Sequence, residues 1–143
     1  MKIYVLGSNS FMHKMVETTD DLLGLGINAF IHPDYRQLVK GERKEQIELW
    51  DAGEKARVKI ENDYFRQHYV HILESDAILI VNERKNDIDN YIGGNVLIEM
   101  GQAYVNNKKI FLLNNIPNNL SYSDEIKALQ PICLNGDLSK IEN

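Results

Sequence analysis

Short apolar runs alternate along the chain with longer stretches of helical period. The runs fall at residues 3–6, 27–31, 77–81, 109–113 and 131–134, each bounded by turn-forming residues such as Gly7-Ser8-Asn9-Ser10 or His32-Pro33. Continuous apolar runs of this length read as strands buried on both faces. Phe11, Met15 and Leu22 mark a first helix, capped by Ser8, Asn9 or Ser10 and stopped by Gly24 and Gly26. Residues 33–74 are the longest interval without a strand. Within it, residues 34–41 read as loop and 42–73 as two helices broken near Asp51-Ala52-Gly53, with Val58, Phe65, Tyr69 and Ile72 on one face. Met100, Ala103 and Tyr104 give a helix running to about Asn107 its inward face, Ser123 opens a short helix, and residues 138–141 form a last turn.

Strands alternating with helical segments imply a single α/β domain over residues 1–143, a doubly wound five-stranded parallel sheet of flavodoxin-like order 2-1-3-4-5 with helices on both faces. In such sheets ligands bind beyond the carboxyl ends of the strands where the order reverses, here between the first and third strands. That place is expected to be lined by Gly7, Ser8, Asn9 and Ser10, by Asn82 and its loop, and by Gly93, Gly94, Asn95 and Glu99. The same stretch carries a local signal. Two glycines allow close approach of the backbone and unusual φ, Asn95 is a good N-cap, and a helix N-terminus attracts anions and favours an ionised Glu99.

Composition narrows the partners. With 43% hydrophobic and 26% charged residues the chain is of globular type, and its net charge of −5 argues against nonspecific binding of a nucleic acid polymer. Cys133, the single cysteine, sits in an apolar setting and reads as a small core residue, which fits a reducing cytoplasm. No stretch has signal-peptide or membrane-spanning character. The histidines (13, 32, 68 and 71) lack the companions of a metal set, so neither a metal nor another cofactor is expected.

At Gly7-Ser8, at Ser75-Asp76-Ala77-Ile78-Leu79-Ile80-Val81, and at Glu99-Met100-Gly101-Gln102-Ala103-Tyr104 followed by Lys109-Ile110-Phe111-Leu112-Leu113, the chain resembles the nucleoside 2-deoxyribosyltransferase superfamily, including its deoxynucleoside 5′-monophosphate N-glycosidase branch. The resemblance in layout covers nearly the whole chain, and the Glu-x-Gly-x-Ala segment is its most specific part. It implies a homodimer and a glutamate nucleophile, matched by Glu99, that attacks the anomeric carbon and releases the base. Two positions depart from the family. Where transferases carry an aspartate six residues before the nucleophile, and the phosphate-preferring branch a serine, this chain has Gly93. Where the family has an aspartate that protonates the leaving base, eight residues before Asp76, it has His68, which is either a replacement proton donor or a helix-surface histidine. Asp76 itself reads as a structural cap or turn residue.

Three functions are therefore weighed. The first is an enzyme that cleaves or transfers the N-glycosyl bond of a nucleoside or nucleotide, with Glu99 and His68 as catalytic candidates. The second is a noncatalytic nucleotide-binding module on the same fold. The third, a flavodoxin-type electron carrier, is disfavoured because residues 8–12 lack a glycine to cradle a flavin phosphate. A homodimer joined through the aromatic-containing 42–74 region is expected, and these aromatics pack on the chain's own sheet in the alternative.

Overall fold

The computed structural model describes residues 1–142. Its sheet has five strands, β1 (Lys2–Gly7), β2 (Asn28–Ile31), β3 (Ala77–Val81), β4 (Lys109–Leu112) and β5 (Ile132–Cys133), all parallel and in the order β2-β1-β3-β4-β5. This is the flavodoxin-like arrangement, with the strand order reversing between β1 and β3.

Alternation within the strands splits the core into two layers. Ile3, Val5, Ala77, Leu79 and Val81 face one side, where Met15 and Leu22 of α1 (Met12–Gly24) and Tyr35 of α2 (Pro33–Val39) pack on them. Tyr4, Leu6, Ile78 and Ile80 face the other, under Ile72 of α5 (Tyr64–Glu74), Val96, Met100 and Ala103 of α6 (Gly94–Val105) and Ile126 of α7 (Ser123–Ala128). Every residue of β3 is buried, as expected of a central strand covered on both faces. Asp76 has the structural role expected of it: its carboxylate accepts from the Lys2 amide at 2.7 Å, tying the start of β1 to the entry of β3.

The long interval before β3 differs from its expected layout in three ways. Residues 34–41 are not a loop. Pro33 at the first position and the His32 ring, which accepts from the Asp34 amide at 3.1 Å, start helix α2. The following stretch holds three helices rather than two, α3 (Lys44–Asp51), α4 (Lys55–Glu61) and α5. The break at Gly53 is as expected, and a second occurs at Asn62-Asp63, where Asp63 takes a left-handed φ of 50°. That break ends the common face of Val58, Phe65, Tyr69 and Ile72. Val58 and Ile72 are buried, while Phe65 and Tyr69 stay exposed and His68 turns inward instead.

The start of α6 also corrects the sequence reading. Gly93 occupies the N-cap position and Asn95 lies inside the first turn. Gly93 has an extended backbone (φ −89°), and Gly94 is absent from the positive-φ residues, so neither glycine serves an unusual dihedral. Gly7 is where a side chain is excluded: a Cβ there would lie 2.7 Å from the Val81 carbonyl oxygen. Cys133 is half-buried at the edge of the second core layer. No helix among the described residues is long and apolar enough to cross a membrane.

Candidate functional site

A cleft of about 270 Å³ opens beyond the carboxyl ends of β1 and β3, at the point where the strand order reverses. Its floor comes from Gly7, Ser8 and Asn9 after β1 and from Gly93, Gly94, Asn95 and Glu99 at the start of α6. His68 of α5 and His32, Asp34 and Tyr35 around the β2–α2 junction add one wall. The α3–α4 pair adds Gln46, Trp50, Lys55 and Lys59.

Of the residues expected at this place, Gly7, Ser8, Asn9, Gly93, Gly94, Asn95, Glu99 and His68 line the cleft; Ser10 and Asn82 do not. Ser10 is exposed, and its amide points to the Ser8 hydroxyl at 3.3 Å within a 3-10 turn. Asn82 is fully buried as a strut between loops. Its Nδ2 donates to the Asn115 carbonyl at 2.9 Å, its Oδ1 accepts from the Asn114 amide at 2.9 Å, and its own carbonyl accepts from Asn114 Nδ2 at 3.1 Å. With its amide group satisfied by the protein, Asn82 holds the loops beyond β3 and β4 together rather than offering groups to a ligand.

Glu99 is 6% exposed and receives no hydrogen bond from the described residues. The sealed side-chain polar atom without a partner among the described residues is Gln102 Oε1, so the Glu99 carboxyl opens onto the cleft. Burial pushes its pKa up to about 8, with the Lys59 ammonium acting in the opposite direction. The expectation that the helix N-terminus keeps Glu99 ionised is therefore overturned. Glu99 sits in the second turn of α6, beyond the reach of the end effect, and loss of water dominates.

His68 is buried, not on the helix surface. Its Nδ1 lies 2.6 Å from the Tyr4 hydroxyl. Burial, with His32 and His71 nearby, pushes its pKa down to about 3, so the ring is neutral across the physiological range. A neutral imidazole is not the cationic proton donor considered for this position. His32 is likewise held neutral by burial. Its Nδ1 accepts from the Asp34 amide, leaving Nε2 to donate to Gln67 Oε1 at 2.5 Å.

Several lining residues carried no signal in the sequence. Lys55, Lys59 and Lys85 bring positive charge to the cleft of a chain whose net charge is −5. Burial lowers the pKa of both Lys59 and Lys85. Lys85 Nζ donates to Ser8 Oγ at 3.3 Å and stands 5.2 Å from the centre of the Tyr91 ring. Lys55 and Lys59 both stand over Trp50, at 5.2 and 5.7 Å. Another acid of the cleft, Asp34, is already engaged: Tyr64 donates to it at 2.7 Å and Arg43 lies 3.4 Å away. Arg43, at a left-handed φ of 59°, also donates to Gln46 at 2.8 Å and to Asn62 at 3.1 Å, and so ties α2, α3 and the α4–α5 junction into one wall. Sequence spacing gives no hint of the meetings between distant segments, such as Lys85 with Ser8 or Tyr64 with Asp34.

No group of His, Cys, Asp and Glu among the described residues is placed to hold a metal ion. Comparisons with protein-family models, with curated proteins and with solved structures gave no match.

Proposed function

We propose that the protein cleaves or transfers the N-glycosyl bond of a nucleoside or nucleotide, with Glu99 as the nucleophile. The observation that carries this reading is the Glu99 carboxyl itself: buried, without a hydrogen-bond partner among the described residues, and open to a cleft at the topological switch point. A buried acid with no partner is costly to the fold, and strongly shifted acids in clefts mark functional sites. Attack of the carboxylate on the anomeric carbon forms a glycosyl ester and breaks the bond to the base, which leaves with the bonding pair and takes a proton from water; water or a second base then resolves the ester. The resemblance at Glu99-Met100-Gly101-Gln102-Ala103 supports the same assignment.

The lysines favour a phosphorylated substrate. Lys55, Lys59 and Lys85, together with the free amides at the start of α6, suit a phosphate group far better than an uncharged sugar hydroxyl. The test is release of free base from a panel of nucleosides and their 5′-monophosphates by wild type and Glu99→Gln. Activity confined to the wild type supports the reading, and an active Gln variant overturns the nucleophile.

A noncatalytic nucleotide-binding module is the second reading. It is favoured by the neutral His68 and by a Glu99 that burial keeps protonated at neutral pH. Tight binding without base release from any substrate of the panel would select it. In either case a homodimer is proposed, joined through an exposed apolar ridge of Tyr69 and Leu73 on α5 and Ile98 and Val105 on α6.

A further inference from the structure

Tyr4 is an unusual residue for a central strand, since its hydroxyl must find a partner in the core. It is fully buried, and the described partner of that hydroxyl is His68 Nδ1 at 2.6 Å. Two arrangements are compatible with the distance. If His68 Nδ1 carried the proton, the Tyr4 O–H hydrogen would be buried without an acceptor. If Nδ1 is bare, Tyr4 donates to it and no group is orphaned. Buried polar groups are overwhelmingly paired, so the second arrangement holds. The proton of the neutral ring then sits on Nε2.

Nε2 in turn has no partner among the described residues, and it is not one of the sealed, unpartnered atoms. His68 lines the cleft, so this N–H faces the space where a ligand would sit. No surrounding acceptor, the Glu99 carboxyl of the same cleft included, is hydrogen-bonded to it. His32 is committed to Gln67 and to the Asp34 amide, Tyr35 donates to Asn9 at 3.0 Å, and Tyr64 donates to Asp34. His71 stands 5.2 Å from the Tyr4 ring and has its own partner in Glu74 at 3.4 Å.

We propose that Tyr4 is a positioning residue that locks His68 in the Nε2–H tautomer, making His68 a neutral hydrogen-bond donor to an acceptor atom of a nucleobase in the cleft. This rests on the nucleotide reading above and specifies how the base is held. A neutral imidazole N–H can polarise an acceptor without transferring its proton, so the ring needs no change of charge to do so. Every common base offers a ring nitrogen or carbonyl oxygen as acceptor.

Two measurements test it. Long-range 1H–15N correlation spectra of the full chain labelled in histidine report the tautomer directly. The wild type should show Nδ1 bare and Nε2 protonated, unchanged between about pH 5 and 8, and Tyr4→Phe should lose that single pattern. The opposite tautomer in the wild type, or an unchanged pattern in Tyr4→Phe, overturns the role of Tyr4. The wild-type spectrum decides this even if Tyr4→Phe fails to fold. The second measurement is calorimetric binding of the four 2′-deoxynucleoside 5′-monophosphates and of 2-deoxyribose 5-phosphate to the chain with His68 intact and to His68→Phe, each carrying Glu99→Gln so that the nucleotides are not turned over. Loss of one neutral hydrogen bond should weaken the preferred nucleotide about tenfold and leave the sugar phosphate nearly unchanged. Equal weakening of both overturns the base contact. A chain with His68 intact that binds none of these probes overturns the nucleotide reading and the base contact with it, while the tautomer spectrum still judges Tyr4 separately.

Discussion

Lys59 of α4 and Glu99 of α6 act on each other's charge. The ammonium favours the carboxylate and the carboxylate favours the ammonium, while burial works against both. If Glu99 is the nucleophile, base release should rise with pH through about 8 and level off above it, because the attacking form is the carboxylate. Lys59→Met removes the favourable charge, so the rise should move to higher pH, with base release at pH 7 reduced roughly three- to tenfold. A pH–rate profile on both proteins checks this, and a profile unmoved by the substitution would separate Lys59 from Glu99.

Glu99→Gln should have opposite effects on activity and stability. Base release should fall by several powers of ten, since the covalent route is lost. The folded protein holds the Glu99 proton up to about pH 8, against an ordinary value of 4.5. Below the ordinary value both the folded and unfolded chains are protonated there, and the acid adds no pH-dependent cost. As pH rises, the unfolded chain releases its proton first, so wild-type stability falls progressively up to about pH 8. The Gln variant escapes this loss. It should match wild type near pH 4 and be more stable at pH 9 by on the order of 2–4 kcal/mol. Denaturant titrations at the two pH values give the comparison.

Asn82→Ala should destabilise the fold by about 1–2 kcal/mol, because it removes a fully buried side chain that bridges the half-buried Asn114 amide and the Asn115 carbonyl. Nucleotide affinity of the folded fraction should change little. Lost affinity at unchanged stability would instead mean that Asn82 touches the ligand.

The ridge on α5 and α6 should behave as an interface between two copies of the chain. Light scattering should give the mass of a dimer, and Tyr69→Glu or Leu73→Asp should give a monomer. A wild-type monomer at working concentration would count against the ridge.

The strands and their order were legible because a central parallel strand such as Ala77–Val81 must be apolar at every position. The floor of the cleft, Gly7 to Asn9 and Gly93 to Glu99, was legible from topology, since it lies where the strand order reverses, although the local roles read for Gly93, Gly94 and Asn95 were not those found. Helix α2 was missed although Pro33 at a first helical position is a recognised start signal. The second break, at Asn62-Asp63, was missed because a left-handed Asp without a neighbouring glycine leaves little trace. That one error moved Phe65 and Tyr69 from the core to the surface and hid the inward turn of His68. The lysines of the cleft were beyond sequence reasoning, since α4 and the loop after β3 meet only through tertiary packing. The protonation of Glu99 was misjudged for a related reason: the local helix-end effect can be read from sequence, and the depth of burial cannot.

The pairing of β1 with β3 also has a bearing on how the chain acquires its site during synthesis. Ile3 pairs with Ala77, so during synthesis β1 must wait for β3 before its inner edge is filled. The floor of the cleft waits longer, until Glu99 has emerged. A nascent chain halted after α5 would expose the bare edge of β1, a template for unwanted strand pairing. Release of the segment containing β3 and α6 thus closes that edge and assembles the floor of the cleft in the same stage of growth.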